Sequence, residues 1–135
     1  MKSKIGIALS GGGIRGMAHL GVLQYLTELG IKPSVISGTS AGALVGAFYA
    51  AGFEPKQIFK IGKSEKFFNY SSLFKRQGVG LFSTDIFENI IKKHIAQETL
   101  ESLEIPLFIT ATDLNNGKLK IFNEGSLATA VKASC

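Results

Sequence analysis

Residues 33 to 53 run for 21 positions without a charged side chain. A stretch of that kind belongs in a bilayer or in a protein core. Its composition decides between them. It holds Pro33, Ser34, Ser37, Gly38, Thr39, Ser40, Gly42, Gly46 and Gly52, which suit a buried strand, a turn and a buried helix better than a span. "SVIS" (34–37) is the strand and "SAGALVGAFYAA" (40–51) the helix. Gly42, Gly46 and Ala50 recur every four residues, so one helix face is flat enough for close packing. Gly52 ends it.

The elements around this segment follow from periodicity. "KIGIALS" (4–10) is a short apolar run ending in glycines, hence a buried strand. "MAHLGVLQYLTEL" (17–29) is a helix with Val22, Leu23, Leu26 and Leu29 inward and Gly30 as its stop. Pro55 opens a short helix to Ile61. "TDIFENIIKKHIA" (84–96) is amphipathic, with Ile86, Phe87, Ile90, Ile91 and Ile95 inward and Thr84 or Asp85 as its cap. "IPLFITATDL" (105–114) and "LKIFN" (119–123) are strands joined by the turn "NNGK". "SLATAVKAS" (126–134) starts a last helix. Strand, helix, strand, helix at the N-terminus implies a right-handed parallel unit. The fold class is therefore α/β, with a hairpin adding an antiparallel pair.

A length of 135 residues suits one compact domain, and 45% hydrophobic against 19% charged residues allows a real core. The net charge of +5 favours anionic partners, lipid surfaces among them. The lysines are spread along the chain with no run that resembles a nucleic-acid arm, so no nucleic acid is expected. Cys135 is the lone cysteine, which excludes an internal disulfide, and no Cys/His spacing suits zinc, so neither metal nor cofactor is expected. Lys2 and Lys4 imitate a secretory signal, but Gly11 to Gly13 and Arg15 break the apolar run behind them. A cytoplasmic location follows, with room for peripheral membrane contact.

Two glycine motifs carry the chemistry. Gly11-x-Gly13-x-x-Gly16 lies between a strand and a helix, the setting of a dinucleotide loop. That reading needs an acid about 20 residues on, at the end of the second strand, and residues 29 to 53 contain none. "GTSAG" stands there instead, Gly38 to Gly42, a G-x-S-x-G between strand and helix. This is the pattern of a nucleophile elbow, with Ser40 exposed on a sharp turn. Alone it also occurs as a tight strand-to-helix turn. Together the two motifs are more specific: Gly11, Gly12 and Gly13 offer backbone N–H groups for an oxyanion, and Arg15 adds positive charge or is simply exposed in the first helical turn.

"SGGGIRGMAHLGVL", "SGTSAGALVGAFYAAG", "FITATDLNNGK" and "SLATAVKASC" together resemble the patatin-like phospholipases, bacterial members above all, over nearly the whole chain. The resemblance implies a three-layer α/β fold with a mostly parallel central sheet. It implies an oxyanion hole at Gly11, Gly12, Gly13 and Arg15, an elbow at Gly38 and Gly42, and Ser40 as nucleophile. The implied reaction is metal-free hydrolysis of lipid acyl esters through an acyl-serine. The family uses a Ser-Asp dyad whose aspartate lies in a D-G-[GA] motif downstream of the segment that "AVKASC" resembles. This chain has only Asp85 and Asp113 and no such motif. Residues 1 to 135 are thus expected to be the N-terminal part of one patatin-like domain, inactive or weak as written and with exposed apolar surface that favours association.

The remaining candidates for a base are read structurally. Asp85 starts a helix and Asp113 bonds to its adjacent turn. A Ser40, Asp85, His94 triad is rejected, because both partners would share one helix with His94 on its apolar side. His19 shares a face with Val22, Leu23 and Leu26. The alternative function is a non-catalytic lipid- or partner-binding module that retains the acyl pocket. Residues 63–82 interleave Phe67, Phe68, Tyr70, Phe74 and Phe82 with Lys63, Lys66, Lys75 and Arg76. They are a candidate lid or membrane-facing segment, or equally a loop whose phenylalanines pack on the core.

Overall fold

The computed structural model describes residues 4–65 and 84–135. The candidate segment 63–82 therefore lies outside the described residues from position 66 onward. Strand β1 (Gly6–Leu9) leads through a 3-10 turn (Gly13–Gly16) into α1 (Met17–Glu28), then β2 (Val35–Thr39), α2 (Ala41–Ala50) and α3 (Pro55–Ser64). Helix α4 (Asp85–His94), a short 3-10 turn (Leu100–Ser102), β3 (Leu107–Asp113), β4 (Lys118–Phe122) and α5 (Leu127–Ser134) complete the order. The sheet runs β1-β2-β3-β4. β1 with β2 and β2 with β3 are parallel, and β3 with β4 is antiparallel. A mixed α/β fold with a mostly parallel sheet is what the sequence implies.

Helix α2 is the centre of the molecule. All ten of its residues are buried, as the uncharged sequence requires. Gly46 lets it lie on the sheet: a Cβ there would come within 3.2 Å of Leu107 Cδ1 and 3.3 Å of Ile36 Cγ2. Phe48, fully buried, packs edge-on against Phe53 at 5.3 Å. Leu127 and Val131 of α5 join the same core. The uncharged stretch is thus β2, a turn and α2, and no helix among the described residues is long and apolar enough to cross a membrane.

Alternation along the strands separates two sheet faces. Leu9, Ile36, Leu107 and Ile109 are buried under α2 and α5. On the opposite face Phe108, Ile121 and Leu119 stand exposed, the last at 67%. The expected exposed apolar surface is there, and a parallel sheet ordinarily has both faces covered.

Three local expectations need correction. On α1, Val22 and Leu29 are exposed, while Leu20 and Leu23 are buried. Apolar residues ring this helix, and its packing against α3 selects the Leu20–Leu23 stripe. Thr84 occupies the N-cap of α4 but its side chain makes no capping bond, and Asp85 pairs with Lys132 at 2.6 Å instead. Helix α3 runs to Ser64, beyond Ile61. It starts on Pro55 behind a capping box in which the Glu54 N–H donates to Gln57 Oε1 at 2.8 Å.

Helices α4 and α5 are tied by ion pairs. Lys132 Nζ lies 2.9 Å from Glu88 Oε2, and Lys92 Nζ 2.6 Å from Glu88 Oε1. The hydrogen bond from Lys92, then that from Lys132, holds the Glu88 carboxyl down at about 2. A folded value below the ordinary 4.5 stabilises the fold above that pH. The contribution is lost as pH falls from 4.5 towards 2. Glu88→Gln is therefore expected to lower stability at neutral pH and to converge with wild type near the acid end. Urea midpoints across that pH range, parallel rather than converging, would contradict it.

Candidate active site

The site forms where β1 and β2, side by side and parallel, deliver their carboxyl ends. Each end leads into a glycine-rich turn and then a helix. Ser40 stands at the N-cap of α2 with φ 50° and ψ −118°. It is the one non-glycine residue at positive φ among the described residues. Such a conformation costs about 1–3 kcal/mol and persists only where its surroundings impose it.

The surroundings are close contacts that only glycine permits. A Cβ on Gly38 would lie 2.7 Å from Ala43 Cα and from the Gly42 carbonyl oxygen, inside the turn itself. A Cβ on Gly42 would run into the carbonyl oxygen of Leu9, at the end of β1. A Cβ on Gly16 would sit 2.6 Å from Ala41 Cβ. A Cβ on Gly11 would come within 3.3 Å of Ser40 Cβ. So the first glycine loop is stacked on the elbow, and the two sequence motifs form one site. Gly11, Gly12, Gly13 and Arg15 are exposed. The Arg15 N–H donates to the Gly12 carbonyl at 3.1 Å, closing the turn.

Two residues that sequence reading missed, Ser134 and Thr110, hold the elbow. The Ser40 N–H donates to Ser134 Oγ at 2.8 Å, and the Ser134 hydroxyl donates to the Thr110 carbonyl at 2.6 Å. Ser134 at the end of α5 therefore straps the elbow to β3. Thr39 and Thr110, register partners on β2 and β3, bond through their hydroxyls at 2.6 Å. Nothing in "AVKAS" marks a strap, because its partner lies 94 positions earlier. The first intrahelical bond of α2 runs from the Leu44 N–H to the Ser40 carbonyl at 3.0 Å. The amides of Ala41, Gly42 and Ala43 precede it, at the positive end of the helix dipole.

The other sequence candidates are placed elsewhere. Asp113 accepts from the Asn115 N–H at 2.9 Å and from Asn116 Nδ2 at 2.8 Å, which is the turn role expected of it. Asp85 pairs with Lys132. His94 bonds Glu65 at 2.8 Å and packs beside Phe48. His19 Nε2 donates to the Ser10 carbonyl at 2.8 Å, steadying the glycine loop from α1. Cys135 adjoins Ser40. Burial of its sulfur pushes the thiol up to about 11, with a hydrogen bond to the Ser40 side chain acting the other way. At neutral pH it is a thiol and no base. Among the described residues, no cluster of His, Cys, Asp and Glu could hold a metal ion.

Two glycine-to-alanine changes should have opposite signs. Gly42→Ala is expected to destabilise by about 1–3 kcal/mol, since the methyl meets the backbone of β1. Gly21→Ala, in α1 with nothing within 4 Å of the new methyl, is expected to stabilise by about 0.5–1 kcal/mol. Urea unfolding of the two variants measures both, and a common sign would refute the interlocked elbow.

The geometry is matched by similarity. The family model for patatin-like phospholipases matches residues 7–135. A patatin-like phospholipase domain-containing protein of Caenorhabditis elegans is 33% identical over 137 residues, covering 96% of this chain and 10% of its own length. Lysophospholipase NTE1 of Mycosarcoma maydis is 31% identical over 128 residues, covering 90% of this chain and 7% of its own. An NTE family protein of Mycobacterium bovis is 31% identical, covering 97% of this chain and 37% of its own. The type III effector protein ExoU shares the fold, with a TM-score of 0.58 at 22% identity over 97% of this chain and 40% of that one. The chain thus spans from under a tenth to about two fifths of the length of these relatives. It belongs to the patatin-like phospholipase family.

Proposed function

We propose that this chain carries the nucleophile and oxyanion half of a serine-dependent lipid acyl hydrolase of the phospholipase A or esterase type. The observation that carries this reading is the stacking of Gly11 on a positive-φ Ser40. It brings a nucleophilic hydroxyl, a glycine loop and a helix N-terminus to one point. Ser40 Oγ attacks the ester carbonyl, forming its bond to carbon as the carbonyl electrons move to oxygen. The amides of Gly11, Gly12 and Gly13 and the start of α2 stabilise that oxyanion, and Arg15 adds positive charge. Loss of the alcohol leaves an acyl-serine, which water hydrolyses.

The hydroxyl proton needs a base. The family's dyad assigns that role to an aspartate beyond the segment resembled by "AVKASC", and residues 1–135 then form the N-terminal part of a single patatin-like domain. General-base assistance contributes about 10²–10⁴-fold. Without that aspartate, turnover should be slower than in a complete domain by about that factor. A second reading, a lipid- or partner-binding module without catalysis, is favoured by the engagement of Asp113, His19 and His94 with other partners.

Labelling by a fluorophosphonate and hydrolysis of a long-chain nitrophenyl ester test the two readings. Slow labelling and weak turnover, both abolished by Ser40→Ala while ester binding is retained, are the expected results. Labelling that survives Ser40→Ala would remove Ser40 as nucleophile. Binding without labelling or turnover would favour the second reading.

A further inference from the structure

We infer that the exposed side of α3, with the groove it forms against α1, is a docking surface for anionic lipid membranes. Lys56, Lys60 and Lys63 follow at i, i+4 and i+7, so they line one stripe of a helix about 15 Å long. Pro55, Ile58 and Gly62 form the buried side. Phe59 emerges among the lysines, 44% exposed, with Lys63 Nζ 5.8 Å from its ring centre. Between them and Leu20 and Gln24 of α1 lies a shallow, open groove of about 450 Å³.

The clustering of charge singles this surface out. Lys32, Lys92, Lys93 and Lys132 each pair with a carboxylate. Lys56, Lys60 and Lys63 form no ion pair among the described residues, and no carboxylate lines the groove. Lys4, Arg15, Lys118 and Lys120 also form no ion pair among the described residues, but there only α3 gathers three such lysines on one helix stripe. Three unneutralised ammonium groups around an apolar floor with a protruding phenyl ring match the lipid interface. The ring and floor take the acyl boundary, and the lysines reach the headgroup phosphates. A nucleic-acid duplex, with its bases already stacked, would use the lysines and leave the phenyl and the apolar floor idle.

The choice of a lipid partner rests on the hydrolase reading above. Vesicle binding needs no turnover, however, so either can fail alone. Near an anionic leaflet each lysine contributes about fivefold in affinity. The full chain is expected to sediment with vesicles of phosphatidylcholine and phosphatidylglycerol and not with phosphatidylcholine alone, with binding weakened by salt. Replacing Lys56, Lys60 and Lys63 together by Gln should weaken that binding on the order of 100-fold. Phe59→Ser should weaken it further, and the paired lysines of α4, changed by Lys92→Gln and Lys93→Gln, should leave it unaltered. All the changed residues are exposed, and circular dichroism confirms that the variants fold. Binding unchanged in the triple variant, or equal loss in the α4 variant, would overturn the proposal. So would tight binding of double-stranded DNA that the triple change abolishes and Phe59→Ser does not.

Discussion

The contact between Gly42 and the Leu9 carbonyl is the constraint on which the rest of the molecule depends. A helix cannot start this close to the end of a neighbouring strand if its first turn carries a side chain there. With hydrogen in that place, α2 presses onto the end of β1. The preceding backbone is then forced through positive φ at Ser40. Gly38 and Gly16 relieve the two contacts on either side, and Gly11 brings the first loop down onto the serine. The strain at Ser40 is thus held by backbone packing on several sides, and by the Ser134 hydroxyl on its N–H.

That packing also explains the uncharged helix. Helix α2 touches the sheet on one side and α1, α3 and α5 on others, so every residue of it is removed from water. A charge anywhere along it would be buried without room for a partner. The candidate site gains a rigid support: the helix that follows Ser40 is buried along all ten of its residues. The ion pairs lie at the periphery: Glu65, at the C-cap of α3, bonds His94 and Lys93 of α4, Lys132 of α5 bonds Asp85 and Glu88 of α4, and Lys32 bonds Glu104.

Element order, the parallel N-terminal unit, the hairpin and the two motifs were legible in the residues, because period-two and period-3.6 patterns and glycine turns are local signals. The pairing of β2 with β3, by contrast, joins segments about 70 positions apart. Helix α1 was less so. Its apolar residues surround the axis, and only packing against α3 chose Leu20 and Leu23 over Val22 and Leu29. The cap of α4 failed for a similar reason. Asp85 found Lys132, a residue 47 positions later, and so served an ion pair rather than the helix end. Ser134 and Thr110 escaped notice because a hydroxyl bonded to a segment far along the chain leaves no pattern in its own neighbourhood.

By itself the sequence determined the fold class, the buried central helix and the identity of Ser40 as the candidate nucleophile. Those depend on what a residue is and on which residues stand within a few positions of it. Only the tertiary structure decided that the glycine loop and the elbow are one site. It alone decided which face of α1 is core, which hydroxyls brace the serine, and that three lysines of α3 form no ion pair among the described residues. Each of these is set by distances between segments far apart along the chain, and such distances exist only once the sheet and α2 have packed.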